Sequence, residues 1–389
     1  AIVLIMNFQL TDDQEMFVES VRRFACAHLQ EGAVERVRSP NYPWDAAKLI
    51  ADQQLMGITL PEEDGGLGGT LMDAVLAVEQ ITLVCPRSAD VLHAGNFGPA
   101  RALSEYGTPA QKQKHLEPTL SGNGLVAIGM TEPEAGSALT ELKTTATRDG
   151  DGYRINGTKV FTTHSMDATS ILAYVRFGPG IDGIGSVLID IKAEGLTFGE
   201  TSKYMSGDLW RQLYFKDIFI SAHDVLLTEG GFKKQISAFN AERIGNSARA
   251  LAFGRHAFNI AREHVLYRRQ FGRRLCDFQG TQWKFAEMAM KLESAQLVLY
   301  KAATNADKGL PSATETAMAK HICNQVGFEV ANDAMQTMGA TGYSESTLVD
   351  YCMRRARGLQ IAGGSLEMMK NKIAEGVFEC RFPQRLPSD

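Results

Sequence analysis

The run Gly129-Met130-Thr131-Glu132-Pro133-Glu134-Ala135-Gly136-Ser137 gathers groups suited to holding a ligand. Thr131 and Ser137 offer hydroxyl donors, and Gly136 allows close approach of the backbone. Gly178-Pro179-Gly180-Ile181-Asp182-Gly183 formally satisfies the spacing G-x-G-x-x-G. A dinucleotide fingerprint needs a strand before it and a helix after it. Here a strand-like run follows and a proline sits in the turn, so a hairpin loop is expected. The glycine-rich loop at Gly65–Gly69 lacks the lysine of a phosphate loop and reads as a turn. Eight histidines include no H-E-x-x-H, and six scattered cysteines (Cys26, Cys85, Cys276, Cys323, Cys352, Cys380) include no C-x-x-C. Neither a metal centre nor a disulfide framework is expected.

These groups must be positioned by elements that change character twice along the chain. Thr11-Asp12-Asp13-Gln14 is a capping-box start, and Phe17, Val18, Val21, Phe24 and Ala25 follow at helical spacing. Helical patterning continues to about Ser121, with one helix over Ala74–Leu83 and another opened by Pro109. From about Leu125 to Leu227 strand signals take over: Tyr153–Ile155, Thr158–Thr163, Ile171–Phe177, Ser186–Ile191 and Gln212–Ile220. Asp149-Gly150-Asp151-Gly152 and Asn156-Gly157 read as turn pairs between them. This block predicts an antiparallel β domain, a barrel or sandwich. Helical period returns from Gly231, with Ala241–Tyr267 long and rich in small residues that let a helix or a flat ligand approach. Gln282–Ala306, Ser312–Met338 and Leu366–Phe378 complete a predicted four-helix bundle. The expected fold class is α+β in three parts: 6–124 helical, 125–230 β and 231–389 helical.

A chain of 389 residues can bury a sizeable core. Its 44% hydrophobic and 22% charged residues are an ordinary globular balance, and the net charge of −5 with no basic block argues against nucleic-acid binding. The run Ile2–Met6 is too short for a signal-peptide core or a membrane span. Residues 1–5 read as a leader or as appended residues ahead of a start at Met6. A soluble, cytoplasmic protein with no membrane association is expected.

Five motifs, in order along nearly the whole chain, resemble the acyl-CoA dehydrogenase family. Gly129–Ser137 is similar to its T-E-P-x-A-G-S-D signature, and Pro61-Glu62-Glu63 with Gly65-Gly66-Leu67-Gly68 to its P-E-E-x-G-G-x-G loop. Asn156–Thr163 resembles its N-G-x-K-x-[WF]-I-T strand, Arg268–Gly272 with Phe278-Gln279 its R-x-x-F-G…Q motif, and Gln336–Tyr343 its Q-x-x-G-G-x-G-Y run. The resemblance implies an FAD-dependent oxidoreductase acting on acyl-CoA, a homo-oligomer (tetramer or dimer) and electron-transferring flavoprotein as partner. It implies that Ile128, Thr131, Phe161 and Thr163 surround the flavin ring, with Thr163 donating to flavin N5. Ser137 would lie between flavin and CoA. Arg268, Phe271, Gln279, Gln336 and Gly339 would reach the FAD of a neighbouring subunit, where a guanidinium suits a diphosphate. Ser365 and Glu367 would make the last dinucleotide contacts. Each position also has an ordinary structural reading: a surface ion pair for an arginine, a helix cap for Gln336. Ala138 departs from the signature's Asp, and Tyr351 and Arg355 depart from a common Arg and Asp of the family's R-x-x-R-D-x-R segment.

The largest departure concerns the catalytic base. Many members carry a glutamate in a Y-E-G-T turn near the C-terminus, and Gly363 stands at that position in Ile361-Ala362-Gly363-Gly364-Ser365. A minority, including isovaleryl- and long-chain-type members, place the base on the first helix of the C-terminal domain, before an arginine. Asn240-Ala241-Glu242-Arg243 is similar to that pattern, and Gly363-Gly364-Ser365-Leu366-Glu367-Met368 is close to the G-G-S-x-E-M turn of crotonobetainyl-CoA reductase-like members. The resemblance therefore implies Glu242 as base, with Arg243, Gly363 and Ser137 contacting substrate. Glu242 would take the Cα proton while hydride leaves Cβ for flavin, and an apolar pocket would raise its pKa. The other reading of Glu242 is an exposed carboxylate paired with Arg243 or Lys234. Arg87 and His93 are placed near the acyl pocket, Arg87 either neutralising a distal carboxylate or serving as a structural pair. The same chemistry in reverse is 2-enoyl-CoA reduction; a desulfinase-like variant and a silent CoA-binding scaffold are the remaining alternatives.

Overall fold

The computed structural model describes residues 9–306 and 312–383, apart from the side chain of Ser237. The run Ile2–Met6 lies outside the described residues. Helices begin where the cap chemistry places them. Thr11 caps Asp12–His28 by accepting from the Gln14 N–H while the Gln14 side chain accepts from the Thr11 N–H. Thr70 and Asp73 repeat this reciprocal pair at the start of Leu71–Val84. Ser88–Asn96 and Pro99–Tyr106 follow, separated by Phe97 and Gly98.

The middle of the chain forms one nine-stranded sheet: β1 (Val126–Gly129), β2 (Thr145–Asp149), β3 (Gly152–Thr163), β4 (Ser170–Arg176), β5 (Ile184–Asp190), β6 (Leu196–Phe198), β7 (Ser202–Lys203), β8 (Leu209–Ser221) and β9 (Val225–Leu227). The order is β6-β8-β3-β2-β4-β5-β9, with β1 also on β4 and β7 also on β8. The sheet is mixed rather than purely antiparallel, because β4 takes β1 and β2 as parallel neighbours. Gly178–Gly183 is the hairpin loop between antiparallel β4 and β5. Asn156-Gly157, expected to be a turn, lies inside the single strand β3. There the register against β8 shifts between Ile155 and Gly157, a bulge. The Asn156 amide exchanges two hydrogen bonds with Asp217 across that bulge, each 2.9 Å. A Cβ at Gly157 would collide with Thr144, so glycine serves close approach here, not chain reversal.

The C-terminal helices are Gly231–Tyr267, Gln279–Ala306, Ala313–Met338, Val349–Leu359 and Leu366–Val377. The first four pack on one another, and the last lies against Ala313–Met338. The small residues of the long helix admit another helix: a Cβ at Gly254 would come within 2.9 Å of Gly327, and one at Gly327 would collide with the Ala250 carbonyl. Val349–Leu359 gave no sequence signal, because Arg354, Arg355 and Arg357 mask its apolar face of Val349, Cys352, Ala356 and Leu359. One hydrophobic core joins the N-terminal helices (Phe24, Ile50, Leu76, Ile81) to the C-terminal ones (Ile244, Leu251, Leu299, Val330). That continuous burial holds the two helical regions in register around the sheet.

Candidate active site

Glu242 lies on the long helix Gly231–Tyr267 and points inward. Its side chain is 12% exposed and accepts a 2.8 Å hydrogen bond from His93 Nε2. A Cβ at Gly98 would sit 3.0 Å from Glu242 Oε2 and 3.6 Å from Ile128 Cδ1, so the carboxylate occupies the space a larger residue would fill. Gly98 also takes φ +56, which favours glycine. Neither Arg243 nor Lys234 pairs with Glu242 among the described residues. The exposed-carboxylate reading is thereby excluded.

The expected rise in the Glu242 pKa is corrected by its neighbours. Burial pushes the carboxyl up, but His93, Arg249 and Lys320 more than offset it and hold it below its ordinary value. Burial, assisted by Arg249, pushes His93 down, while Glu242 and Asp90 push it up. An ionised Glu242 can then only accept, which assigns the ring proton to Nε2. His93 Nδ1 is buried with no partner, and the ring stacks on Phe97 at 4.9 Å.

The Gly363 turn lies beside Glu242's helix. Arg243 Nε donates to the Gly363 carbonyl at 3.1 Å, and its Nη1 donates to Asn240 Oδ1 at 3.0 Å. Gly363 and Gly364 take φ +73 and +96, a left-handed pair that side chains resist. Ser365 then caps Leu366–Val377 by accepting from the Met368 N–H, and Glu367 stands exposed in the first turn.

Ile128, Thr131, Phe161 and Thr163 are brought together by β1 and β3, since the Val160 N–H donates to the Thr131 carbonyl at 2.9 Å. Phe161 is 54% exposed at φ +57 and packs on Trp210 at 4.6 Å. A bulky residue held in the left-handed region marks strain kept for a purpose. Thr163 Oγ1 is 3.5 Å from the Tyr204 hydroxyl, a weak contact that leaves it available. Ser137 is exposed, and nothing lies within 4 Å of a Cβ at Gly136. An open aromatic wall with an available hydroxyl and unobstructed glycine backbone fits a flat heteroaromatic cofactor.

Arg268, Phe271, Gln279, Gln336 and Gly339 are all exposed: Arg268 and Phe271 at the hairpin Arg269–Gln270/Arg273–Arg274, Gln279 at the start of Gln279–Ala306, and Gln336 and Gly339 at the end of Ala313–Met338. Phe271 is 94% exposed at the hairpin tip. No hydrogen bond or ring contact joins this group to Thr131, Phe161 or Thr163 among the described residues. Within one chain the two sets of expected cofactor contacts remain separate.

Arg87 does not face the acyl side as a free cation. It is 1% exposed and ion-paired to Asp90 and Asp208. Asp90 also takes Arg249 at 2.6 Å and Arg355 at 2.8 Å, and Arg355 reaches Asp208 at 3.2 Å. Tyr351 lies 3.5 Å from Asp90. Tyr351 and Arg355, which depart from the family pattern, thus both find partners in this cluster. Sequence reasoning did not assign Glu132, yet this buried carboxylate anchors the Thr131–Ser137 loop. It accepts from Lys159 Nζ at 2.8 Å, Thr144 Oγ1 at 2.6 Å and the Thr144 N–H at 3.0 Å. Lys320 was missed as well, although a lysine amid Ala317, Ala319 and Cys323 on a helix face is an available signal.

Three family descriptions match the chain: acyl-CoA dehydrogenase N-terminal domain over residues 11–123, middle domain over 127–218 and C-terminal domain over 229–378. The chain belongs to the acyl-CoA dehydrogenase family. It is 33% identical to a 3-sulfinopropanoyl-CoA desulfinase of Paraburkholderia xenovorans, over 97% of this chain and 99% of that one. It is 34% identical to a short-chain-specific acyl-CoA dehydrogenase of Clostridium acetobutylicum, over 96% and 100% respectively. Among solved structures it resembles PigA with FAD and proline, with TM-score 0.90 and 26% identity over 96% of this chain and 99% of that one. The family is an oxidoreductase family acting on acyl-CoA, and its members share the helical, mixed-sheet, helical architecture seen here. No helix among the described residues is long and apolar enough to cross a membrane.

Proposed function

We propose that this chain is an FAD-dependent acyl-CoA dehydrogenase in which Glu242 is the base. The observation that carries the reading is the buried Glu242 carboxylate, oriented by His93 at 2.8 Å, in a chain whose other candidate position, Gly363, has no side chain. FAD, when bound, supplies the acceptor for the Cβ hydride. Glu242 accepts the Cα proton of the thioester, and the Nε2–H of His93 fixes its rotamer. Because neighbouring cations hold Glu242 ionised in the free protein, it is ready as a base before substrate arrives. Entry of an apolar acyl chain would expel water and strengthen its basicity. The Gly363 N–H, with no acceptor among the described residues, is available to the thioester carbonyl as negative charge develops there.

Thr131, Phe161, Thr163 and Ile128 would hold the flavin ring, with Ser137 between ring and CoA. Ser365 and Glu367 would hold the distal dinucleotide. Arg268, Phe271, Gln279, Gln336 and Gly339 would serve the FAD of a neighbouring subunit; the 94% exposure of Phe271 supports a homo-oligomer. Electrons would pass to an electron-transferring flavoprotein. The deciding experiment loads the protein with FAD and mixes it anaerobically with acyl-CoAs of different chain length and branching. Flavin absorbance should bleach with at least one. Glu242→Gln should abolish bleaching while retaining the bound-flavin spectrum. Undiminished bleaching in that variant would overturn the base assignment, and a protein that takes up no flavin would overturn the redox reading.

A further inference from the structure

We infer that the cavity between the helices Asp12–His28, Leu71–Val84, Gly231–Tyr267 and Gln279–Ala306 binds a free α-amino acid with an apolar side chain, through Glu79 and Arg255. The inference is independent of the acyl-CoA reading above. Arg255 lies 13 residues beyond Glu242 on one helix, about 20 Å along its axis. None of the residues around the cavity belongs to the Glu242 group or to the flavin-facing group.

The cavity measures about 220 Å³. That is below the roughly 300–1,000 Å³ of sites for drug-sized ligands, and near the volume of about seven liquid waters. It admits a molecule of amino-acid size and excludes a peptide or a CoA arm. Val18, Leu76, Leu83 and Leu251 supply apolar walls. Glu79 and Arg255, both partly exposed, supply one charge of each sign. No ion pair joins the two, and neither has another charged partner among the described residues; each is held by a neutral side chain.

A hydrogen-bond chain keeps the two charges apart. Arg255 Nη2 donates to Gln296 Oε1 at 2.5 Å, Gln296 Nε2 donates to the Tyr300 hydroxyl at 2.6 Å, and that hydroxyl donates to Glu79 Oε2 at 2.7 Å. Every link runs in one direction. The chain therefore starts on a guanidinium whose Nε and Nη1 are unused among the described residues. It ends on a carboxylate whose Oε1 is likewise unused. Two partly desolvated charges that do not meet are costly unless a third group serves both. Burial outweighs Tyr300 and Arg255 and pushes Glu79 up to about 7, and an ammonium beside it would bring it back down. A ligand that answers the whole cavity must carry a cation, an anion and an apolar group close together. A zwitterionic α-amino acid carries all three on one carbon. An inorganic ion would answer one end and leave the apolar walls unfilled.

A purely structural role would leave this chain the single task of tying three helices together. Calorimetric titration of the FAD-loaded protein at pH 7 separates the two roles. The probes are L-leucine and its two single-charge fragments, 3-methylbutylamine without the carboxylate and 4-methylpentanoate without the ammonium. L-leucine should bind with a Kd below about 1 mM, and at least about fivefold more tightly than either fragment. Glu79→Gln, which keeps an acceptor for Tyr300, should weaken L-leucine at least about fivefold, and so should Arg255→Gln. Absence of L-leucine binding at about 10 mM, the outcome of a structural role, would overturn the site. So would a smaller preference over the fragments, or unchanged binding in both variants, which would put L-leucine elsewhere on the protein. If a variant shows no cooperative melting transition, the preference of the unsubstituted protein for L-leucine over its fragments still decides. The dehydrogenase reading stands or falls separately, on bleaching of the unsubstituted protein by acyl-CoAs.

Discussion

Two groups of buried cations border the helix Gly231–Tyr267, and the fold treats them in opposite ways. Around Asp90, three guanidinium groups (Arg87, Arg249, Arg355) face two carboxylates, and the residues come from the N-terminal helices, the turn before β8 and the C-terminal helices alike. At the Gly363 turn, Arg243 and Lys320 face main-chain carbonyls and the amide of Asn240. Both groups are desolvated, so the difference is one of compensation. A compensated cluster fixes the relative placement of three regions. An uncompensated one answers by a shifted pKa, as Lys320 does. Glu242 lies between these cases: it is a buried carboxylate oriented by His93, and its pKa is held below the ordinary value by His93 first and then by Arg249 and Lys320.

Substitutions can break or sharpen this contrast. Asp90→Asn should cost most, about 3–5 kcal/mol of unfolding free energy in urea, because it strands buried arginines. A cost below about 1 kcal/mol would show that the arginines re-pair elsewhere. Lys320→Met should do the reverse and stabilise the protein at pH 7 by about 1–3 kcal/mol, the lost bonds to Leu359 offsetting part of the gain. The sign follows from its folded pKa of about 7, below the ordinary 10.5. Between those values the unfolded chain binds more protons, so stability of the unsubstituted protein rises with pH. The variant should lose that rise, which unfolding measurements from pH 7 to pH 10 would record. Arg87→Met should cost less than Asp90→Asn, about 1–2 kcal/mol, since Arg249 and Arg355 still balance the two carboxylates. Smallest is His93→Leu. Removing the donor to Glu242 lets burial dominate, so the pH midpoint of flavin bleaching should move up. Bleaching would then fade at a higher pH as the solution is acidified. An unmoved midpoint would show that His93 does not govern the carboxylate.

Much of the fold was legible because its signals are local. The Thr11–Gln14 cap, the 178–183 hairpin and the long helices are each set by residues a few places apart, and each appears where the spacing predicted. The Asn156-Gly157 pair misled because the same dipeptide serves a turn or a bulge. The choice was made by Asp217, a distant residue in sequence that satisfies the Asn156 amide. Val349–Leu359 was missed because its arginines serve buried carboxylates rather than solvent, which periodicity alone does not distinguish. The candidate site divides the same way. Thr131, Phe161 and Thr163 share one sheet region and were found together by motif. The partners of Glu242 carried no motif at all.

By itself the sequence determined that the chain belongs to the acyl-CoA dehydrogenase family and that position 363 cannot carry a carboxylate. It also made Glu242 the carboxylate before an arginine on the long helix. Only the tertiary structure decided the state of that group. His93 lies 149 residues from Glu242, and neither Arg249 nor Lys320 touches it. Their effect depends on distance and burial, and long-range electrostatics leaves no period or spacing in a chain.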